Sequence, residues 1–138
     1  MKAQEYLRQV RDIDRLLRKT NDRIARLESL SIYASPSFES GGGAGSKSFR
    51  ASSKVEHYAL ELVSQRDKLI EERSRLLKLR GEISDVIRAV NNLTYQNILE
   101  ERYLDCKSFD EIADDFGYSK SYVFRLHREA LGLVHVPS

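Results

Sequence analysis

Residues 119–128 read SKSYVFRLHR, and the side chains there that could do chemistry are donors rather than nucleophiles. Lys120, Ser121, Tyr122 and Arg125 fall on one face if the stretch is helical. Two cations, a hydroxyl and a phenol at such spacing suit hydrogen bonding to base edges. In a helix entering the major groove, N-terminal side chains lie nearest the bases. Lys120 or Arg125 would then donate to a guanine edge, and Tyr122 would meet a thymine methyl or a phosphate. Ser119 stands where a helix cap belongs. Phe124 and Arg128 flank the face, with Arg128 expected on phosphate.

Other candidate chemistry is weaker. GGGAGSKS at 41–48 is one residue from a nucleotide-binding loop, with Gly41, Lys47 and Ser48 in place and Ser46 where the pattern needs glycine. Such a loop needs a buried strand before it and a helix N-terminus after it. This string follows the Ser-rich SIYASPSFES and leads into SFRASSK, so the expectation is a tether. His57, His127 and His135 have no metal-ligand spacing. His127 is expected to be a surface histidine. The single cysteine, Cys106, allows neither an internal disulfide nor a cysteine zinc cage. It sits before Ser108, where a turn glycine is common. No nucleophile–base set is visible, so the chain is expected not to be an enzyme and to need no cofactor or metal.

The elements that must position the donor set lie on both sides of Gly117. Ser108 followed by Glu111 forms an S-x-x-E capping box. The helix it opens would bury Ile112, Ala113 and Phe116. Gly117 suits a turn position of positive φ, Ser119 caps the next helix to about Leu131, and Val123 and Leu126 pack back on the first. Thr94 is expected to cap a preceding helix through about Leu104, with Ile98, Leu99 and Tyr103 inward. In register, these residues describe a helix-turn-helix.

The rest of the chain is patterned for long helices. From Ala3 to Leu30 apolar residues alternate by fours and threes: Tyr6, Val10, Ile13, Leu17, Ile24 and Leu27, with Thr20 in the gap. Arg8, Arg11, Arg15 and Arg18 lie on the opposite face, either solvated or tracking phosphates or an acidic partner. From Lys54 to Val90, Val55, Leu62, Leu69, Leu76, Ile83 and Val90 recur every seven residues, and Val63, Ile70 and Leu77 add a second row. A face that wide suggests packing on more than one helix, and hence a homo-oligomer. Residues 31–54, half of them Ser or Gly, are expected to be a flexible loop. The fold class expected is all-α: an N-terminal helical hairpin over 1–92, then a helix-turn-helix DNA-binding domain over 93–138.

Charge is uneven. Through Asn92 there are 18 Lys and Arg against 13 Asp and Glu; from Leu93 the balance is 5 against 8. A net-acidic DNA-binding unit would make few phosphate contacts and bind weakly alone. Its acids at Asp110, Glu111, Asp114 and Asp115 are expected at the helix N-terminus or facing away from the groove. No run of 18 apolar residues is present, so no membrane span is expected, and an intracellular location is the default.

ILEERY followed by SFDEIADDFGYSKSYVFRLHREAL resembles the −35-reading C-terminal region of sigma-70-type factors. Ile98, Leu99, Arg102, Tyr103, Ser108, Glu111, Ile112, Ala113, Gly117, Ser119, Val123, Ala130 and Leu131 match that pattern. The whole layout is similar to small phage and prophage proteins of Gram-positive bacteria related to ArpU- and RinA-type late transcription regulators. The resemblance implies double-stranded DNA and host RNA polymerase as partners, in the nucleoid of a bacterial cytoplasm. Lys120-Ser121-Tyr122 replaces the usual Arg-Glu-x-Arg-type set, so the −35 preference does not carry over. Nothing resembles the region that melts the −10 element, which implies acting on polymerase rather than replacing its sigma factor. Two other readings remain open: a small-terminase-like packaging subunit, and a polymerase-binding module without DNA affinity of its own.

Overall fold

The structure, a computed structural model, describes the backbone of residues 1–34 and 46–138 and the side chains of residues 1–31 and 53–138. The chain is all-helical: among the described residues there is no strand. Five helices follow in order, α1 (Ala3–Ala34), α2 (Ser46–Arg88), α3 (Leu93–Leu99), α4 (Phe109–Phe116) and α5 (Lys120–Gly132). A π turn, Glu100–Leu104, continues α3. No described helix is long and apolar enough to cross a membrane.

The two long helices run further than the periodicity suggested. α2 starts at Ser46, eight residues before the expected Lys54, and α1 continues to Ala34. The described parts of the expected 31–54 loop are therefore helical. After residue 45 no glycine or proline interrupts SKSFRASSK, and extending an existing helix costs little compared with starting one. Residues 41–45 of the glycine string lie outside the described residues. Lys47 and Ser48 fall in the first turn of α2, which corrects the expectation that the string leads into SFRASSK rather than directly into a helix. The element before it is α1, not the strand that a phosphate loop requires.

The chain divides into two units, residues 17–75 and residues 1–16 with 76–138. In the first unit Thr20, Ile24 and Leu62 are buried and Leu17 and Leu69 are half-buried. Arg73 donates to Asn21 Oδ1 at 3.2 Å across from α2 to α1. In the second unit Leu7, Val10, Ile13, Leu76, Ile83 and Ile87 form the buried helix faces, and Val90 is buried just beyond α2. Arg80 there donates to Asp14 at 2.8 Å and to the Leu104 carbonyl at 3.1 Å. Of the expected seam, Val10, Ile13, Leu62, Leu76 and Ile83 are buried, while Leu17 and Leu69 are only half so. Leu7 and Ile87, both fully buried, escaped the seven-residue count.

The short helices are fixed at their ends by side chains. Asn92, rather than Thr94, caps α3 by accepting from the Tyr95 N–H at 3.1 Å. Gln96 donates to the carbonyl of Arg88, the last residue of α2, at 3.2 Å and to the Val90 carbonyl at 2.6 Å. Ser108 accepts from the Glu111 N–H and donates to its carboxylate, both at 3.2 Å. Gly117 closes α4 with φ of 69°, the left-handed conformation in which glycine carries no Cβ penalty. Ser119 accepts from the Tyr122 N–H at 3.2 Å and opens α5. Cys106 is the one non-glycine residue with positive φ among those described, at 55°. It occupies a position that glycine would fill more easily.

Candidate nucleic-acid interface

Ile98, Ile112, Ala113, Val123 and Leu126 form one buried cluster, against which Tyr95, Phe109 and Phe116 pack. The small side chain of Ala113 lets α4 and α5 approach closely. All four of the residues expected to join these helices, Ile112, Ala113, Val123 and Leu126, are in this cluster. Phe116 is half-buried beside it, and Gly117 supplies the turn. Burying Val123 and Leu126 dictates what α5 exposes.

Ser119, Lys120, Ser121, Tyr122, Phe124, Arg125 and Arg128 are all exposed. Their contacts give the face its character. The Lys120 ammonium lies 5.8 Å from the Phe124 ring, and the Arg125 guanidinium 5.7 Å from the Tyr122 ring. Each cation is also held by an acid: Lys120 by Asp110 at 3.2 Å and Arg125 by Glu129 at 3.3 Å. Such exposed pairs add little to stability and exchange readily for a better anion. Asp110, in the first turn of α4, therefore borders the face that carries Lys120. Asp115 binds Lys107 at 2.7 Å, and Lys107 also reaches Glu101.

Two residues of this face were missed by spacing. Tyr118, exposed just after Gly117, packs edge-on against Tyr122 at 5.0 Å and stacks on Phe116 at 5.7 Å. Phe109 meets Phe124 at 4.6 Å and carries the Arg102 guanidinium 4.3 Å from its ring centre. Both are aromatics at helix ends, where neither the 3.6-residue period nor cap chemistry marks them.

His127 is not the surface histidine expected. It is buried, and its Nε2 lies 2.7 Å from the Tyr103 hydroxyl, with the Phe109 ring edge-on at 5.0 Å. Burial first, and then the charges of Arg102 and Arg8, hold its pKa down to about 4. Burial pushes the Tyr103 phenol up. A neutral imidazole thus shares a hydrogen bond with the phenol, and the pair ties the π turn to α5.

Beside this pair lies a cleft of about 470 Å³, lined by Arg8, Arg11 and Asp12 of α1 together with Arg102, Tyr103, Cys106, Ser108 and Glu111. Arg102 is fixed there by donating to the Lys107 carbonyl at 2.9 Å. Among the described residues no three His, Cys, Asp or Glu side chains gather as metal ligands.

No curated protein and no solved structure matches the chain. Residues 34–134, which include α2 to α5, match the family described as "Protein of unknown function (DUF1492)", and the chain belongs to that family.

Proposed function

We propose that the chain is a sequence-specific DNA-binding transcription regulator, with α4 and α5 as a helix-turn-helix and α5 as its reading helix. The observation that carries this reading is the pair of serine-capped helices joined at positive-φ Gly117, with one face of α5 in the core and the other presenting donors. Lys120, Ser121, Tyr122 and Arg125 are the base-reading side chains. Residues 93–138 are the DNA-binding domain. Residues 1–92, a helical hairpin, set the oligomeric state. The resemblance to sigma region 4 and to phage late regulators supports an activator of late genes that works with host RNA polymerase.

Val63 and Leu77 on α2 stay exposed in the protomer. They supply the surface for self-association. Two linked reading helices raise the effective local concentration of the second for its half-site, offsetting the few phosphate contacts each makes.

The test is Lys120→Ala with Arg125→Ala. Both side chains are exposed and their ion pairs weak, so helicity and oligomer mass should stay unchanged while specific binding is lost. Specific binding that survives this double change refutes the assignment of α5. A second reading, a module that grips polymerase without reading DNA, draws on the exposed acids Asp110, Glu111, Asp114 and Asp115 of α4. It predicts polymerase capture by a chain with no measurable affinity for duplex.

A further inference from the structure

The arginine-lined cleft is not used by the base-reading set, and its charges are unbalanced. Of its two carboxylates, Asp12 is paired with Arg15, which leaves the charge of Glu111, hydrogen-bonded by Ser108, against three arginines. Among the described residues Arg8 and Arg11 have no hydrogen-bond or ion-pair partner. Both are exposed on α1, and with Arg102 they bring three guanidinium groups to one concavity. Arg102 and Arg8 also lie near enough to His127 to add to the effect of burial in holding its pKa down.

The cleft is physically continuous with the exposed face of α5. Arg102 lies against Phe109, Phe109 against Phe124, and Phe124 beneath the Lys120 ammonium. That path is no longer than about 15 Å, comparable with the roughly 12 Å width of a major groove. A duplex with its groove on α5 would carry a backbone strand past the cleft. Planar guanidinium forks match phosphate oxygens better than any other common cation. The start of α4 at Ser108 adds the positive end of a helix to the same wall.

We propose that this cleft seats a backbone phosphate of the duplex whose bases α5 reads, with Arg8 and Arg11 of α1 as the contacting groups and Arg102 completing the seat. The inference rests on the DNA-binding reading of α5 and extends it: the footprint spans the N-terminal helix as well as the C-terminal domain. It also supplies the cations that the net-acidic segment from Leu93 onward lacks.

The experiment is a salt series of duplex affinities by fluorescence anisotropy. It uses the full chain, a site obtained by selection, and a random duplex of equal length. Arg8→Ala with Arg11→Ala should weaken both duplexes by a similar factor, about tenfold or more, and lower the slope of log K against log salt by roughly 1 to 2. The ratio between the two duplexes should hold, and Arg8→Lys with Arg11→Lys should restore most of the slope. Circular dichroism of each variant checks that the exposed substitutions leave the fold intact. An unchanged slope, with duplex binding otherwise normal, overturns the proposal and leaves the reading of α5 standing. A second arm follows the arginine side-chain N–H resonances on adding inorganic phosphate or a hexaglutamate peptide. Shifts at Arg8 and Arg11 with phosphate are expected. If the wild-type chain binds no duplex and only hexaglutamate shifts those resonances, the cleft seats protein carboxylates, and both the proposal and the reading of α5 fall.

Discussion

His127 makes the stability of the C-terminal helices depend on pH in a way that can be calculated. In the unfolded chain its imidazole takes a proton near pH 6.5, whereas in the fold burial and the neighbouring arginines delay protonation to about 4. Between those values the unfolded state binds more protons, so stability falls as pH drops and stops falling on this account below about 4. Between pH 7 and pH 5 the loss comes to about 2 kcal/mol, from 1.36 kcal/mol per unit of pKa difference over the interval in which only the unfolded form is charged. His127→Gln removes the titrating group and keeps a hydrogen-bonding partner for the Tyr103 hydroxyl. Urea unfolding followed by circular dichroism at pH 7, 6 and 5 should show the natural chain losing about 2 kcal/mol more than this variant. Equal losses would mean that His127 is accessible to solvent protons in the fold, and the packing described for α5 against the π turn would be wrong.

Two further predictions use the same handles. A Cβ at Gly117 would meet nothing within 4 Å, so Gly117→Ala isolates the strain of φ at 69°. The cost in urea unfolding should be about 1 to 2 kcal/mol, whereas Gly132→Ala, equally open but without positive φ, should be close to neutral. Val63→Glu with Leu77→Glu should lower the oligomer mass by light scattering without loss of helicity, because both side chains are exposed in the protomer. A ring of eight or more subunits for the natural chain would instead favour the packaging-subunit reading.

The parts legible in the sequence were those set by local chemistry. Ser108, Gly117 and Ser119 each do in the structure what their residue type does at a helix end. Ile112, Ala113, Val123 and Leu126 are inward because one short helical period forces them there. Long-range geometry was less legible. A strict seven-residue row drifts by about 20° per heptad on a straight helix, so counting from Val55 over-valued that exposed residue and passed over Ile87. Tyr6 was chosen where its neighbour Leu7 is the buried one, because both fit an alternation of threes and fours. His127 looked like a surface residue since nothing nearby in sequence announces Tyr103, 24 residues earlier, as its partner. The Asp110–Lys120 pair and the arginine cleft likewise depend on segments brought together only by folding.

The most direct test of the central claim is selection of fragmented bacterial and phage DNA by the purified full chain at physiological salt, followed by sequencing. A sequence-specific regulator should enrich one or a few sites upstream of late or packaging genes. That enrichment should vanish for the variant carrying Lys120→Ala and Arg125→Ala. A flat profile from the natural chain, with or without added polymerase, would contradict the account.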